Sequence, residues 1–530
     1  RHERDRHDRY RHGDGMKGFT MNRCTANRLT VKRWMAAAAG AALVLAACGG
    51  DGDDGAATTP TPVDTVDTSA ESSVATTGVP TTPETTDTEP TVAAPAPSAP
   101  TTEGGAGDAD GVLNVPDEYA TIQAAVDAAF PGQLVLIAPG TYHEAVDIGT
   151  DELVIRGLDR DTVVLDGELE LDNGFRVLGA QNVAIENLTT MNYTSNGVYF
   201  VQATGYRASY ITTYRTGDYG IYGFDSTNGL IENSHTVGSR DAGVYIGQCF
   251  PCDSVIRNVE STNNGLGYSG TNSGGNLLIV ESSFHHNRAG IVPNSGSYEL
   301  CYPERDTTVV GNLVYSNNQT DTPAIDVALL AQGNGILVAG GVRNLIERNR
   351  VDDHNRTGIG LVPFLEEFPN DVIPTPDQWD MPCAEQQELA PEVPDGAILW
   401  DAQENRVVGN VVSNSREADI AVASAEALTT ALGNCVLDNE AGVYAPAALP
   451  ELAPCDGTPS STDFTTGDLG VVRWLGEQAG LPPEVDWREA PLPELGAHEN
   501  MPEPATAAPA PAIDMPPVID LDAIQVPELP

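Results

Sequence analysis

Four short polar stretches hold the residue types that can move protons or grip anions. They read Arg215-Thr-Gly-Asp218, Ser239-Arg240-Asp241, His285-His286-Asn287-Arg288 and Asp352-Asp353-His354-Asn355-Arg356. Arg240, Arg288 and Arg356 can each meet a carboxylate through two parallel N–H donors. His286 and His354 carry side chains that titrate near neutral pH, which suits a proton carrier. Asp218 and Asp241 can share acid–base work or, if held together, bind a hard cation such as Ca²⁺. The competing use of all these groups is a solvated turn whose charges pair among themselves.

A repeat is what would bring such distant stretches together. Each one precedes a glycine by the same few residues. Asn196-Gly197-Val198-Tyr199 is followed by Tyr219-Gly220-Ile221-Tyr222 and Ala242-Gly243-Val244-Tyr245, with glycines 23 residues apart twice running. Gly290, Gly335 and Gly358 continue the column at intervals of 47, 45 and 23. A fixed period in the twenties marks a solenoid. The pattern predicts an all-β chain, a right-handed parallel β-helix of roughly ten coils. Side chains alternate along a strand, so Val or Ile after each glycine points inward and Tyr199, Tyr222 and Tyr245 point outward. At about 4.8 Å between strands, three rings cover about 10 Å, enough to stack sugar rings. Cross-strand filling of a sheet surface is the other use of such tyrosines.

Asn187, Asn233, Asn258, Asn312, Asn349, Asn410 and Asn434 mostly follow apolar pairs. Asparagine tolerates the left-handed backbone and bonds to its neighbours, which predicts one tight turn repeated in each coil. Upstream, Ile122, Ala125, Val126 and Ala129 have helical spacing, and Pro131-Gly132 stops the helix. A short amphipathic helix there would cover the open end of the coil. The run "TIQAAVDAAFPGQLVLIAPGTYHEAV" resembles the N-terminal cap of the pectin lyase-like superfamily. The resemblance spans about 112–445 and implies a cleft along one strand column and its loops. Family-specific motifs are missing: there is no Gly-His-Gly of polygalacturonases and no Arg-x-Pro-x-x-Arg of pectate lyases. The Asp-Pro-His-Asp of alginate epimerases has an echo in Asp352-Asp353-His354-Asn355 that lacks the Pro and the second Asp. Fold does not fix activity here.

Residues 1–47 resemble a mis-started leader followed by a signal peptide. Leu45-Ala46-Ala47-Cys48 is similar to a bacterial lipobox, which implies lipidation of Cys48; an ordinary secretory signal is the alternative. Without residues 1–47 the chain keeps 17 arginines, no lysine and 72 acids, a formal charge of −55. That balance disfavours nucleic acid and anionic membrane surfaces as partners. It also excludes lysine chemistry. Residues 48–110, rich in Thr, Pro, Ala and Asp, cannot offset the entropy of ordering and read as a stalk.

Six further cysteines in an exported chain read first as disulfides. Cys249-Phe-Pro-Cys252 suits a local staple, with a redox pair or half a metal site as alternatives, and Cys435 with Cys455 is the next pairing. Ser295 to Arg305, Asn317 to Gln332 and Pro363 to Pro394 break the period and read as insertions. The β-helix is expected over 111–465. Residues 466–530 should hold a short capping helix near 468–480, then a Pro-rich acidic tail, loose or laid along the coil.

The expected protein is a monomeric, lipid-anchored, cell-surface β-helix that engages an acidic polysaccharide as a lyase, epimerase or hydrolase. A non-catalytic carbohydrate-binding or adhesive protein is the alternative. A third reading likens it to the periplasmic β-helix proteins that help mature copper enzymes, on fold alone. Ca²⁺ is the one cofactor the residues suggest.

Overall fold

The computed structural model describes residues 111–367, 369–386, 396–423, 432–457, 485–510, 512 and 516–530. The leader, Cys48, the stalk and the helix expected near 468–480 lie outside the described residues.

Parallel strands stack into three faces around a closed apolar core. The first face runs from Val112–Val115 to Cys435–Leu437, the second from Gly140–Tyr142 to Glu440–Ala441, and the third from Val146–Ile148 to Tyr444–Ala445. The third face has 11 strands, one per coil, close to the ten expected. The first two faces merge into one sheet because Gln181–Tyr193 and Thr204–Thr216 cross the corner without a break. Asn187 and Tyr210 take that corner with φ of 57° and 55°.

The 23-residue period is the register itself. Val198 pairs with Ile221 and Ile221 with Val244, all inward and fully buried. The glycine column exists because coils approach too closely for a side chain. A Cβ on Gly220 would lie 2.5 Å from the carbonyl oxygen of Gly243, and one on Gly335 2.5 Å from that of Gly358.

The single asparagine column expected from the sequence resolves into several. Asn312, Asn349, Asn410 and Asn439 hand side-chain hydrogen bonds along one corner at 2.9–3.0 Å. Asn434 belongs to a separate ladder with Asn405 and Asn344. Asn264, Asn287 and Asn317 form a third inside the next corner. These amides satisfy backbone groups that the turns bury, as Asn349 does for the carbonyl of Val309.

Helix α1 (Ile122–Ala128) closes the N-terminal end, burying Ile122, Ala125 and Val126. Its first turn is capped by Thr121 and by the Glu144 carboxylate, which accepts from the N–H groups of Ile122 and Gln123 at 3.0 Å. The first two expected insertions are present, and the described residues of the third, 363–367 and 369–386, also leave the coil. The second carries α2 (Asp326–Ala331), whose Ala328 and Ala331 pack over Ala242, Leu266 and Ala289 on the outside of the third face. Disulfides join Cys249 to Cys252, Cys435 to Cys455, and Cys301 to Cys383. The third ties the first insertion to the last. The C-terminal segment lies along the coil's outside.

Replacing Gly220 by alanine drives a methyl group into the next coil's carbonyl. The expected loss is about 1–3 kcal/mol of stability, read as a lower denaturant midpoint. An unchanged midpoint would mean the coils are not packed this closely.

Candidate functional site

The outward column of the third face sets Arg176, Tyr199, Tyr222 and Tyr245 side by side in register. Tyr199 and Tyr222 stack with centroids 5.1 Å apart, Tyr222 and Tyr245 at 4.9 Å. Tyr219, from the turn before the strand, tilts onto both Tyr222 and Tyr245 at 4.8 and 4.7 Å. Tyr222 is 5% exposed and Tyr245 1%, whereas Tyr199 remains half-buried. The ring faces of Tyr222 and Tyr245 are therefore used by neighbouring rings, and Tyr199 has one face on Tyr222. What the column offers instead is a wall of phenol edges, kept un-ionised because burial pushes these tyrosines up.

Two carboxyl groups reach this wall from different elements. Asp241 sits in the turn before Ala242–Gly247, one coil from Asp218, whose carbonyl accepts its N–H at 2.9 Å. The Tyr219 hydroxyl donates to the Asp241 carboxyl. Burial raises Asp241 to about 7, with Asp218 adding to the rise and Arg240 opposing it. Glu299 comes from the first insertion and accepts from the Tyr245 hydroxyl at 2.6 Å. Burial pushes it up to about 8. Its Oε2 is buried with no hydrogen-bond partner among the described residues. Cys301–Cys383 and the Asn272 amide, which donates to the carbonyls of Gly296 and Glu299, hold that insertion in place. Glu299 escapes sequence reasoning because it lies in a segment without period. The one signal beside it is Cys301.

The continuous polar seam expected along this groove is divided. Asp218, Asp241, Arg288 and Arg356 do share one position, two residues before their column glycines. The second insertion, however, seats on Arg288. That guanidinium is fully buried and donates to the carbonyls of Thr320 and Thr322 and to Gln332 Oε1. Arg356, beyond the insertion, pairs with Glu417 at 3.1 Å. His354 is not on the groove at all. It is 1% exposed and ends the third asparagine ladder, with Nε2 3.3 Å from Asn317 Nδ2. Burial lowers it to about 4, so it stays neutral. The register explains this: His354 stands three residues past the inward Val351, as Asn317 does past Val314 and Asn287 past Phe284, whereas His286 stands two past Phe284. His286 lies at the end of the second face, its Nδ1 2.8 Å from His285 Nδ1 and its ring edge-on to Tyr315. Arg240 remains beside Asp241.

Asp218 and Asp241 by themselves supply two carboxylates, fewer than the six to eight oxygen ligands a hard cation takes. Among the described residues no cluster of three or more His, Cys, Asp or Glu is arranged to hold a metal ion.

The raised pKa values predict how stability depends on pH. Both groups are more acidic unfolded, so their contribution is full below about pH 4 and is lost as pH rises through 7 to 8. Raising a carboxyl from near 4 to about 7 or 8 corresponds to on the order of 4 kcal/mol per group. Denaturant midpoints should fall between pH 5 and 9, and Asp241→Asn with Glu299→Gln should flatten that slope. A wild-type midpoint constant over the range would contradict the burial.

A family model described as a right-handed β-helix region matches residues 173–363. No curated protein matches the sequence. Among solved structures, the A-module of mannuronan C-5 epimerase AlgE4 from Azotobacter vinelandii is similar at 15% identity over 62% of this chain and 92% of that one, with a TM-score of 0.41. An alginate lyase from a Paenibacillus species is 16% identical over 44% and 87%, with a TM-score of 0.31. The catalytic unit of an α-1,3-glucanase from Streptomyces thermodiastaticus is 13% identical over 67% and 72%, with a TM-score of 0.40. At such identities and TM-scores these structures carry no assignment of superfamily or activity. The strand stacking and the matched region make the chain a right-handed parallel β-helix protein.

Proposed function

We propose that the chain cleaves or remodels polysaccharide at the tyrosine wall, with Asp241 and Glu299 as its acid–base pair. One observation carries this reading: two carboxyl groups from separate elements are held near neutral pKa, by burial, against one tyrosine stack on the coil's outer side. Carboxyls tuned in this way are what proton transfer at neutral pH requires. Glu299, the weaker acid, gives its proton to the leaving glycosidic oxygen. Asp241, the stronger, takes a proton from water or from the sugar carbon. The phenol edges of Tyr219 and Tyr222 orient the substrate's hydroxyl groups.

An acidic glycan remains the substrate class put forward. Protonated Glu299 does not repel a uronate, and Arg240, beside the base Asp241, lies near for its carboxylate. Arg288 and Arg356 are withdrawn from that role, since one holds the insertion and the other pairs with Glu417. Export and anchoring through Cys48 would put the site at the cell surface, and three disulfides suit an oxidising compartment.

Incubation with acidic and neutral glycans, reading unsaturated products and new reducing ends, tests the proposal. Turnover of at least one uronate polymer is expected, declining as pH passes 8. Asp241→Asn and Glu299→Gln should each cost roughly 10²–10⁴-fold, while His286→Ala should leave the rate unchanged. Binding without products across the panel would replace this reading with a carbohydrate-binding surface protein.

A further inference from the structure

The coil carries a second built surface, and what occupies it is the chain's own C-terminal segment. From Val485 the segment crosses the second face toward the N-terminal coils, passes the corner at Asn187, and returns along the first face. Six arginines of the coil hold it by main-chain carbonyls. Arg215 donates to those of Trp487, Arg488 and Ala490 at 2.8, 2.7 and 3.1 Å. Arg156 donates to Ala507 at 2.7 Å and to Ala508 at 3.3 Å, and Arg160 to Glu499 at 3.3 Å. Arg207, Arg348 and Arg350 reach the carbonyls of Ala510, Leu521 and Pro527.

Carbonyl capture suits this ligand. Proline has no N–H to offer, and an extended Pro/Ala-rich chain leaves its carbonyls unpaired. Apolar anchors set the register. Leu492 covers Gly238, where a Cβ would lie 2.3 Å from its methyl group. Ile524 fills an outward column of Leu230, Val255, Val280 and Val310.

We infer that this track is a peptide-binding site for extended, Pro/Ala-rich acidic chain, and that it accepts the C-terminal segment of a second copy of this protein. No cysteine lies beyond Cys455, so no disulfide joins the segment to the coil. The 27 residues of 458–484 join it to the coil's end. At about 3.3 Å each they reach up to about 90 Å, while eleven coils at about 4.8 Å span about 53 Å. The same contacts can therefore form between copies, and effective concentration decides between the two arrangements. The inference is independent of the tyrosine site.

The test uses the whole chain with a protease site placed within 458–484 and cut after folding. The released segment should co-elute with the coil and exchange with a labelled synthetic peptide of residues 485–530. Arg215→Gln with Arg350→Gln should raise the dissociation constant about 10–100-fold, while the far-UV melt of the coil keeps its midpoint. Uncut protein at high concentration should give a dimer that the peptide dissolves. Separation of the segment on cutting, a segment that never exchanges, or unchanged affinity in the double variant would each overturn the inference.

Discussion

The close approach of one coil to the next is the contact that the rest of this molecule depends on. Through the coils from Gly174 to Gly358 a glycine lies against the next coil, at most positions against a backbone carbonyl and at Gly243 against side chains, at distances where a Cβ would clash. That contact keeps coils in register, and register decides everything laid out along the axis. Inward positions stack into a continuous apolar core, and amides buried at the corners find the next coil's amide. Outward positions become columns, so four tyrosines distant in sequence meet as one packed group. A shift of one residue would turn each column to the other side of its sheet.

Burial in this fold has two origins. The core is sealed by the coil, whereas the outer surface is sealed only where insertions or the C-terminal segment lie on it. The proposed site depends on the second kind. Asp241 and Glu299 stand outside the solenoid, yet the first insertion and the tyrosine wall remove them from water and raise both. The same mechanism disposes of Arg288, which the second insertion covers and uses as its anchor.

Arginine use reflects the same economy of surface. In a chain with so large an excess of acids, pairing with carboxylates is the expected fate of a guanidinium. Arg156, Arg257 and Arg343 do meet carboxylates. Six arginines nevertheless hold carbonyls of the C-terminal segment, where a fork of N–H donors can bind backbone that offers only acceptors. A lysine would present a single point of charge there.

The sequence by itself determined the repeat, the direction of the strands, the capping helix, the three insertions and the outward setting of Tyr199, Tyr222 and Tyr245. These are local or periodic properties: a recurring glycine, alternation along a strand, a helical stripe before Pro-Gly. It also placed Asp218 beside Asp241, because one period separates them. Only the tertiary structure decided which polar residues share a surface. His354 and His286 each stand four residues before their glycine, but His354 lies three residues past the inward Val351 and His286 only two past the inward Phe284, which puts His354 inside the corner. Glu299 had no period to mark it, and it reaches Tyr245 through an insertion tied down by Cys301 and Cys383. Periodicity specifies neighbours along the coil's axis. What folds down on its outside depends on contacts between segments that no repeat relates.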